Sequence, residues 1–430
     1  MITKKTINLA ILTFFYFIVA YFIEFILLRA NDSYFWCISL NYFELIQNVL
    51  PIHCDEGPYR HASESIDFFF SENNPYQKRP IYVFSISLIR NIISFLSFGL
   101  INEYIEFRIS MIIIQYIILF LICQNTVKYF SIDKIDFRNL LLLFSIFSIP
   151  NIRWNLFFPS HGNITFLLLI YTLKKLKDSS KDYNSHQFFL IIGMASLLHR
   201  SAIIFGLIFI IIKTFEEKKI KLLEFFKNFV LALFPSVFYE LFISFSKYTS
   251  FDWNREIYGQ FYWLVDLITG NDKNYHDMAC QKLETFLNCS LTVTKYFISY
   301  FLIGIIFFLI LLLLNPSLLN NSNFINIAII LFLVYVFWSL QGLYPNFRFV
   351  NYSLGYFIFF SLIYINHNYY KSVILSLSIL IYEFSIQYLE PYSVTSLETN
   401  FLTFISMLLF VLFLISNFNS KLFGKNEKII

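Results

Sequence analysis

Apolar runs long enough to cross a bilayer recur from one end of the chain to the other, and few folds can hold them. Read coarsely, they cover 7–28, 80–101, 109–127, 139–149, 160–173, 187–198, 201–212, 228–246, 294–314, 324–342, 352–366, 372–388 and 400–416. Crossing the hydrocarbon takes roughly 20 apolar residues per helix. In lipid every backbone N–H and C=O must be satisfied within the protein, so only helices and closed barrels span. The longer runs exceed a barrel strand of about ten residues. The expectation is an all-α, polytopic integral membrane protein with about 12 (11–13) transmembrane helices, forming a single membrane domain over 1–430. Composition agrees, because 57% of residues are hydrophobic and only 14% charged, too few to cover a soluble chain of this size. A net charge of +4 makes no case for nucleic acid. The run after Lys4 and Lys5 is too long for a signal-peptide core and lacks a small-residue cleavage site, so no cleavable signal is expected.

Basic residues gather on the cytoplasmic side of membrane helices. Lys4 and Lys5 put the N-terminus inside, and Lys421, Lys425 and Lys428 put the tail there too. The basic clusters at 174–181 and 213–227 then also fall inside, which leaves 29–79 and 247–293 as two large extracytoplasmic loops. The expected location is a bacterial inner (plasma) membrane with both termini cytoplasmic. Thirteen runs cannot join two ends on one side. Either part of 80–149 lies along the membrane or re-enters it, or 187–212 fuses into one span with His199 and Arg200 at its centre. A buried arginine costs a few kcal/mol at least, which favours the first.

The first outer loop holds the stretch "HCDEGPYRHA", residues 53–62, just beyond the first span. Asp55 ionises there, and neighbouring basic groups hold it as a carboxylate. Beside Arg60, His61, Lys78 and Arg79, such a carboxylate suits taking a proton from an acceptor hydroxyl while the cations neutralise a departing phosphate. The bland alternative is a solvated loop whose charges keep it out of lipid. Glu56 is the assistant or alternative acid, although in a helix it points about 100° away from Asp55. Tyr59 lies one turn beyond Asp55 and shares its face. Four of the five cysteines lie in the two loops, and bonds Cys37–Cys54 and Cys280–Cys289 suit an oxidising compartment without being required.

Asp55-Glu56, Tyr59, Ala62, Glu64 and then Lys78-Arg79-Pro80-Ile81-Tyr82 resemble the first extracytoplasmic loop of GT-C glycosyltransferases. More narrowly, they look like the branch related to protein mannosyltransferases and the lipid A aminoarabinose transferases. The resemblance implies a GT-C-like enzyme that takes a sugar from a polyprenyl-phosphate donor and passes it to a glycan, lipid or protein acceptor on the outer face. It makes Asp55 the general base and sets Lys78 and Arg79 near the lipid phosphate. In metal-dependent members a second short outer loop supplies further acids. Here that loop, residues 150–161, has none. Cations such as Mg²⁺ or Ca²⁺ favour several oxygen ligands, carboxylates among them, so no essential metal and no cofactor are expected. Arg153 and His161 of that loop suit an anionic group, or anchor the interface together with Trp154.

"NIRWNLFFPSHGNITF", "SLLHRSAIIF" and "YPNFRFVNY" also resemble EpsG-type and O-antigen-polymerase-like (Wzy-like) proteins, through Asp55, Tyr59, Arg153, His199, Arg200 and Arg348. That likeness implies a polymerase acting on undecaprenyl-pyrophosphate-linked units. Arg200 and Arg348 sit in apolar surroundings, where a cation persists only against an anion or water. A lipid phosphate is one such anion. Internal pairing, of Arg348 with Glu390 and of Arg200 with His199, is the other. In the second loop Trp253, Tyr258, Tyr262 and Trp263 suit stacking on sugars, while 257–268 equally reads as an interfacial lid. A flippase or other transporter of lipid-linked glycans is the non-enzyme reading, disfavoured by the absence of a convincing internal repeat. The chain has no phosphate-binding glycine loop, no paired metal-type Cys or His spacing and no Gly-x-Ser-x-Gly.

Overall fold

The computed structural model describes residues 4–30, 56–71, 74–132, 136–147, 162–178, 186–199, 202–217 and 222–245, with scattered residues elsewhere. The regular structure of the described residues is helical throughout. The helices are α1 (Lys4–Ala30), α2 (Glu56–Glu64), α3 (Ile66–Phe69), α4 (Pro80–Leu96), α5 (Glu103–Tyr129), α6 (Phe137–Phe147), α7 (Gly162–Asp178), α8 (His186–Ser196), α9 (Ala202–Glu217) and α10 (Leu222–Phe245), with a 3₁₀ turn at Pro75–Lys78. By length and composition, α5 and residues Leu223–Phe245 of α10 can each cross a membrane. Two compact units divide the chain, one of residues 1–131 and 154–275, the other of residues 132–153 and 276–430.

In the first unit α5 is the axis, a rod of 27 residues that runs about 40 Å at 1.5 Å per residue. Its N-terminus is capped by Asn102, whose Oδ1 accepts from the Tyr104 amide at 2.8 Å. Helix α1 packs against it antiparallel. Tyr21 lies within electrostatic reach of Arg108, Phe17 meets the Tyr116 ring edge-on at 6.1 Å, and the Tyr116 hydroxyl donates to the Ala10 carbonyl at 3.1 Å. Helix α7 instead runs parallel to α5. Asn163 Nδ2 donates to Gln115 Oε1 at 3.1 Å, and about four turns of helix later the same register brings Lys177 Nζ to the Tyr129 carbonyl at 2.6 Å. The start of α1, the end of α5 and the end of α7 therefore share one end of the bundle. That end carries Lys4, Lys5, Lys128, Lys174, Lys175 and Lys177.

Helix α4 does not carry the chain between the two ends. It opens on Pro80, where a missing N–H costs nothing in the first turn. Near its start the Tyr82 hydroxyl reaches Met111 Sδ at 4.0 Å and accepts from Gln115 Nε2 at 3.4 Å. The helix is seventeen residues long, ends at Leu96 and turns straight into the start of α5. So α4 runs antiparallel to α5 along its N-terminal half, and the chain returns to the end at which Tyr21 of α1 lies. Phe98 and Gly99 make the reversal with φ of 53° and 69°.

Helices α8, α9 and α10 form a second layer on α7. Tyr171 of α7 stacks on Phe188 of α8 at 5.7 Å, and Phe188 packs on Phe209 of α9 at 4.6 Å. Helices α8 and α10 are parallel, from His186 beside Asn228 at 3.1 Å to the hydrogen-bonded hydroxyls of Ser196 and Ser236. Between those pairs Gly193 lets the backbones close up. A Cβ there would lie 2.9 Å from the carbonyl oxygens of Leu231 and Ala232 and from Pro235 Cδ. Pro235, inside α10, cannot donate to the Leu231 carbonyl one turn back. Small residues at such crossings are how apolar helices gain close packing without a hydrophobic drive. In the other unit, α6 buries Leu141, Leu142, Leu143, Ser145, Ile146 and Phe147, and Ser145 Oγ reaches the Ser376 carbonyl at 3.2 Å.

Candidate functional site

Residues 56–82 fold into a compact cap at the bundle end away from the lysines, and each step has a local cause. In α2 the positions Tyr59, Ala62 and Ser63 are buried, at helical spacing, while His61 and Glu64 face out. Ser65 caps the short α3, its Oγ accepting from the Phe68 amide at 3.3 Å. Phe69, buried, packs on Phe84 of α4 at 4.9 Å. Asn74 has two tasks. Its Oδ1 accepts from the Tyr76 amide at 2.9 Å and its Nδ2 donates to the Phe69 carbonyl at 2.8 Å, which ties α3 to the 3₁₀ turn. The Gln77 carbonyl accepts from the Tyr239 hydroxyl at 2.7 Å and so joins the cap to α10.

At the centre of the cap sits Arg79. One Nη donates to the Tyr59 hydroxyl, and the guanidinium carbon lies 5.2 Å from the Tyr76 ring centre. The rings of Tyr59 and Tyr76 stack at 3.8 Å and 20°, and Tyr82 meets Tyr59 edge-on at 5.6 Å. Burial works against the charge on Arg79. The oxygens of Tyr59 and Tyr76, with the Tyr59 hydrogen bond, outweigh it and leave the guanidinium pKa raised. Arg79 is thus a fixed cation, oriented by two stacked phenols. Its side chain keeps some exposure and makes no other hydrogen bond among the described residues, so most of its five donors remain for an anion. Below it, polar contacts continue inward through Tyr82 and Gln115 to Asn163. The Asn163 Oδ1 is buried without a hydrogen-bond partner, which leaves an acceptor for a hydroxyl or a water.

A second polar cluster braces α2 against α4 and α5. Arg90, in the middle of α4, donates to Ser63 Oγ at 2.7 Å and to Glu64 Oε1 at 3.2 Å. Arg60 stands 3.9 Å from Glu64 and 5.6 Å from the Tyr104 ring centre, and Arg108 covers that ring at 4.2 Å. His61 is exposed and lies 3.5 Å from Glu64.

Of the residues singled out by sequence, Tyr59 and Arg79 come together. Arg60 and His61 turn to Glu64 instead. His199 follows α8 at the same end of the bundle, its amide donating to the Ala195 carbonyl at 2.9 Å and its carbonyl accepting from Ala202. Glu56 begins α2 and Lys78 ends the 3₁₀ turn, but their side chains, with Asp55, Arg153, His161, Arg200 and Arg348, lie outside the described residues, as do both expected cysteine pairs. Tyr76, Gln115, Asn163 and Arg90 escaped the sequence reading, and Tyr82 entered it only as the last residue of the Lys78–Tyr82 stretch. The signal for three of them was there, since Arg90, Gln115 and Asn163 are polar residues inside or beside apolar runs. Comparison with protein-family models, curated proteins and solved structures finds no match to this chain.

Proposed function

We propose that the chain is a membrane glycosyltransferase that uses a polyprenyl-phosphate-linked sugar and works at the end of its bundle facing away from the cytoplasm. The observation that carries the reading is the Arg79 guanidinium, held by the Tyr59 hydroxyl and lying beside the Tyr76 ring, with donors left for an anion and with Tyr59 one helical turn along the sequence from Asp55. Orientation follows from charge. The lysine-bearing end is the cytoplasmic one, so the cap lies on the other face. If α4 does not cross, twelve of the thirteen apolar runs do, and both termini sit in the cytoplasm. The likeness of the loop to GT-C enzymes gives the roles. Arg79 grips the lipid phosphate, and Asp55 accepts the proton of the attacking hydroxyl while the sugar–phosphate bond breaks.

The test is a lipid extraction. Host cells lacking the chain, or carrying Asp55→Asn at equal abundance, should accumulate one polyprenyl-phosphate-linked sugar, read by mass spectrometry. Arg79→Gln should lower donor retention in purified membranes, whereas Asp55→Asn should leave it nearly intact. Accumulation of a polyprenyl-pyrophosphate oligosaccharide would replace this reading with the polymerase one, and an unchanged pool of lipid-linked saccharides would end both.

A further inference from the structure

We propose that Arg79 and the opposed N-termini of α4 and α7 hold a phosphate group beneath the lipid headgroups, within the outer half of the hydrocarbon layer. This rests on the proposed function only in making Arg79 an anion-binding group. The depth of the site and the groups that share the charge are new, and both hold whether or not a sugar is transferred.

Depth follows from helix lengths. Tyr82 of α4 and Asn163 of α7 both meet Gln115. At 1.5 Å per residue, Gln115 lies about 18 Å from the start of α5 and about 21 Å from its end. The hydrocarbon is about 30 Å thick, so a bilayer that α5 crosses has Gln115 near its middle. Helix α10 sets the outer limit. Tyr239, which donates to the Gln77 carbonyl, lies about 9 Å short of the end of α10. Between them the two helices bracket the 3₁₀ turn and Arg79 deeper than the headgroups, on the side away from the lysines.

Helices α4 and α7, of 17 residues each, start at this level and run apart. α4 runs outward along the N-terminal half of α5, and α7 runs inward to the lysines. Gln115 bridges their first turns, its Nε2 donating to the Tyr82 hydroxyl and its Oε1 accepting from Asn163. Each N-terminus carries roughly half a positive charge, and Arg79 is itself the N-cap residue of α4. A guanidinium and two positive helix ends in apolar surroundings are stable together only against an anion or water. Opposed half-membrane helix starts are one way that membrane proteins hold anionic groups at depth. A second observation points to a ligand. Asn163 is fully buried, and its Oδ1 has no hydrogen-bond partner. Turning both amides over leaves a donor of Asn163 unpaired instead, so one polar group of that side chain is left over in either assignment. A phosphate fits both, because its oxygens accept from Arg79 while its own hydroxyl, or one on the group it carries, meets the amide.

The experiment uses the full chain, stripped of host lipid, in phosphatidylcholine vesicles, with dodecyl phosphate and inorganic phosphate as probes. Phenylglyoxal modifies accessible guanidiniums, and mass spectrometry reads each arginine peptide. Dodecyl phosphate should slow modification of Arg79 several-fold and leave Arg60, 31% exposed, unchanged. Protection by dodecyl phosphate alone makes the ligand a lipid, and equal protection by inorganic phosphate makes it a soluble anion arriving from the outer side. Protection by neither overturns the site, and so does an Arg79 that never reacts. Depth is read separately. Cys37, Cys54, Cys280 and Cys289 are replaced by serine, and the buried Cys123 is kept. Leu223→Cys, Phe234→Cys, Phe238→Cys and Phe245→Cys, on the exposed stripe of α10, then carry a nitroxide one at a time. Collision with oxygen relative to a water-soluble nickel chelate should be several-fold higher at 238, beside Tyr239, than at 223 or 245. A ratio at 238 no higher than at 245 puts Arg79 among the headgroups and overturns the depth, as does a flat series; the proposed function would survive either result. An unchanged pool of lipid-linked saccharides would end that function and leave this site standing.

Discussion

Gly193→Ala tests the close approach of α8 to α10. The added Cβ would stand 2.9 Å from two carbonyl oxygens and from Pro235 Cδ. Two of these three atoms belong to backbone and the third to a rigid ring, so α8 and α10 must move apart. Overpacking of this kind costs about 1–3 kcal/mol, against a gain of about 1 kcal/mol for replacing glycine by alanine within a helix. The net loss is about 0–2 kcal/mol, or up to roughly 5 °C in the apparent midpoint of thermal unfolding. Gly206→Ala is the control. Its Cβ would meet Ile192 Cγ2 at 3.4 Å and Phe189 at 3.6 Å, ordinary contact with side chains, so the helix gain should survive and the midpoint should hold or rise. Both variants and the parent would be heated at one scan rate in the same detergent, since unfolding of such proteins is commonly irreversible. Because α10 also carries Tyr239 to the Gln77 carbonyl, Gly193→Ala should disturb the cap as well as the bundle. A midpoint for Gly193→Ala equal to or above that of Gly206→Ala would refute the reasoning.

Other variants probe the cap. Tyr59→Phe removes the acceptor of Arg79 and should cost about 1.5–3 kcal/mol, the range for a hydrogen bond to a charged group, read as a lower unfolding midpoint; no change would mean that Arg79 is held by the rings alone. For the Arg90 brace, Arg90→Met and Glu64→Gln should each destabilise, and the double variant should lose less than the two losses combined, as expected of one shared interaction. Full additivity would show that the pair is not coupled. Asn163→Ala removes the donor to Gln115 Oε1 and should cost about 1–3 kcal/mol, read as a lower unfolding midpoint; an unchanged midpoint would show that this amide pair carries little of the fold.

What was legible from the residues alone follows from local periodicity and composition. Long apolar runs call for helices because lipid leaves the backbone no other partner. Lys4, Lys128 and Lys177 are basic residues flanking apolar runs, so they mark helix ends before any packing is known, and the register of α7 against α5 then places Lys128 and Lys177 at one end. Asp55, Tyr59 and Arg79 stood out because ionisable and aromatic groups cluster in one short polar loop between spans. Tertiary structure decided the rest. An apolar run such as 80–101 has the length to cross whether or not it does, and only the pairing of Tyr82 with Met111 and Gln115 shows α4 lying antiparallel along the N-terminal half of α5. Tyr76 became part of the cluster through its stack on Tyr59, and Tyr239 through a hydrogen bond to a residue 162 positions away. Gln115 and Asn163, 48 positions apart, meet only because α5 and α7 run parallel in one register. Contacts over such distances are set by which helix faces interdigitate, a property of the assembled bundle that no single segment carries in its own period of hydrophobicity.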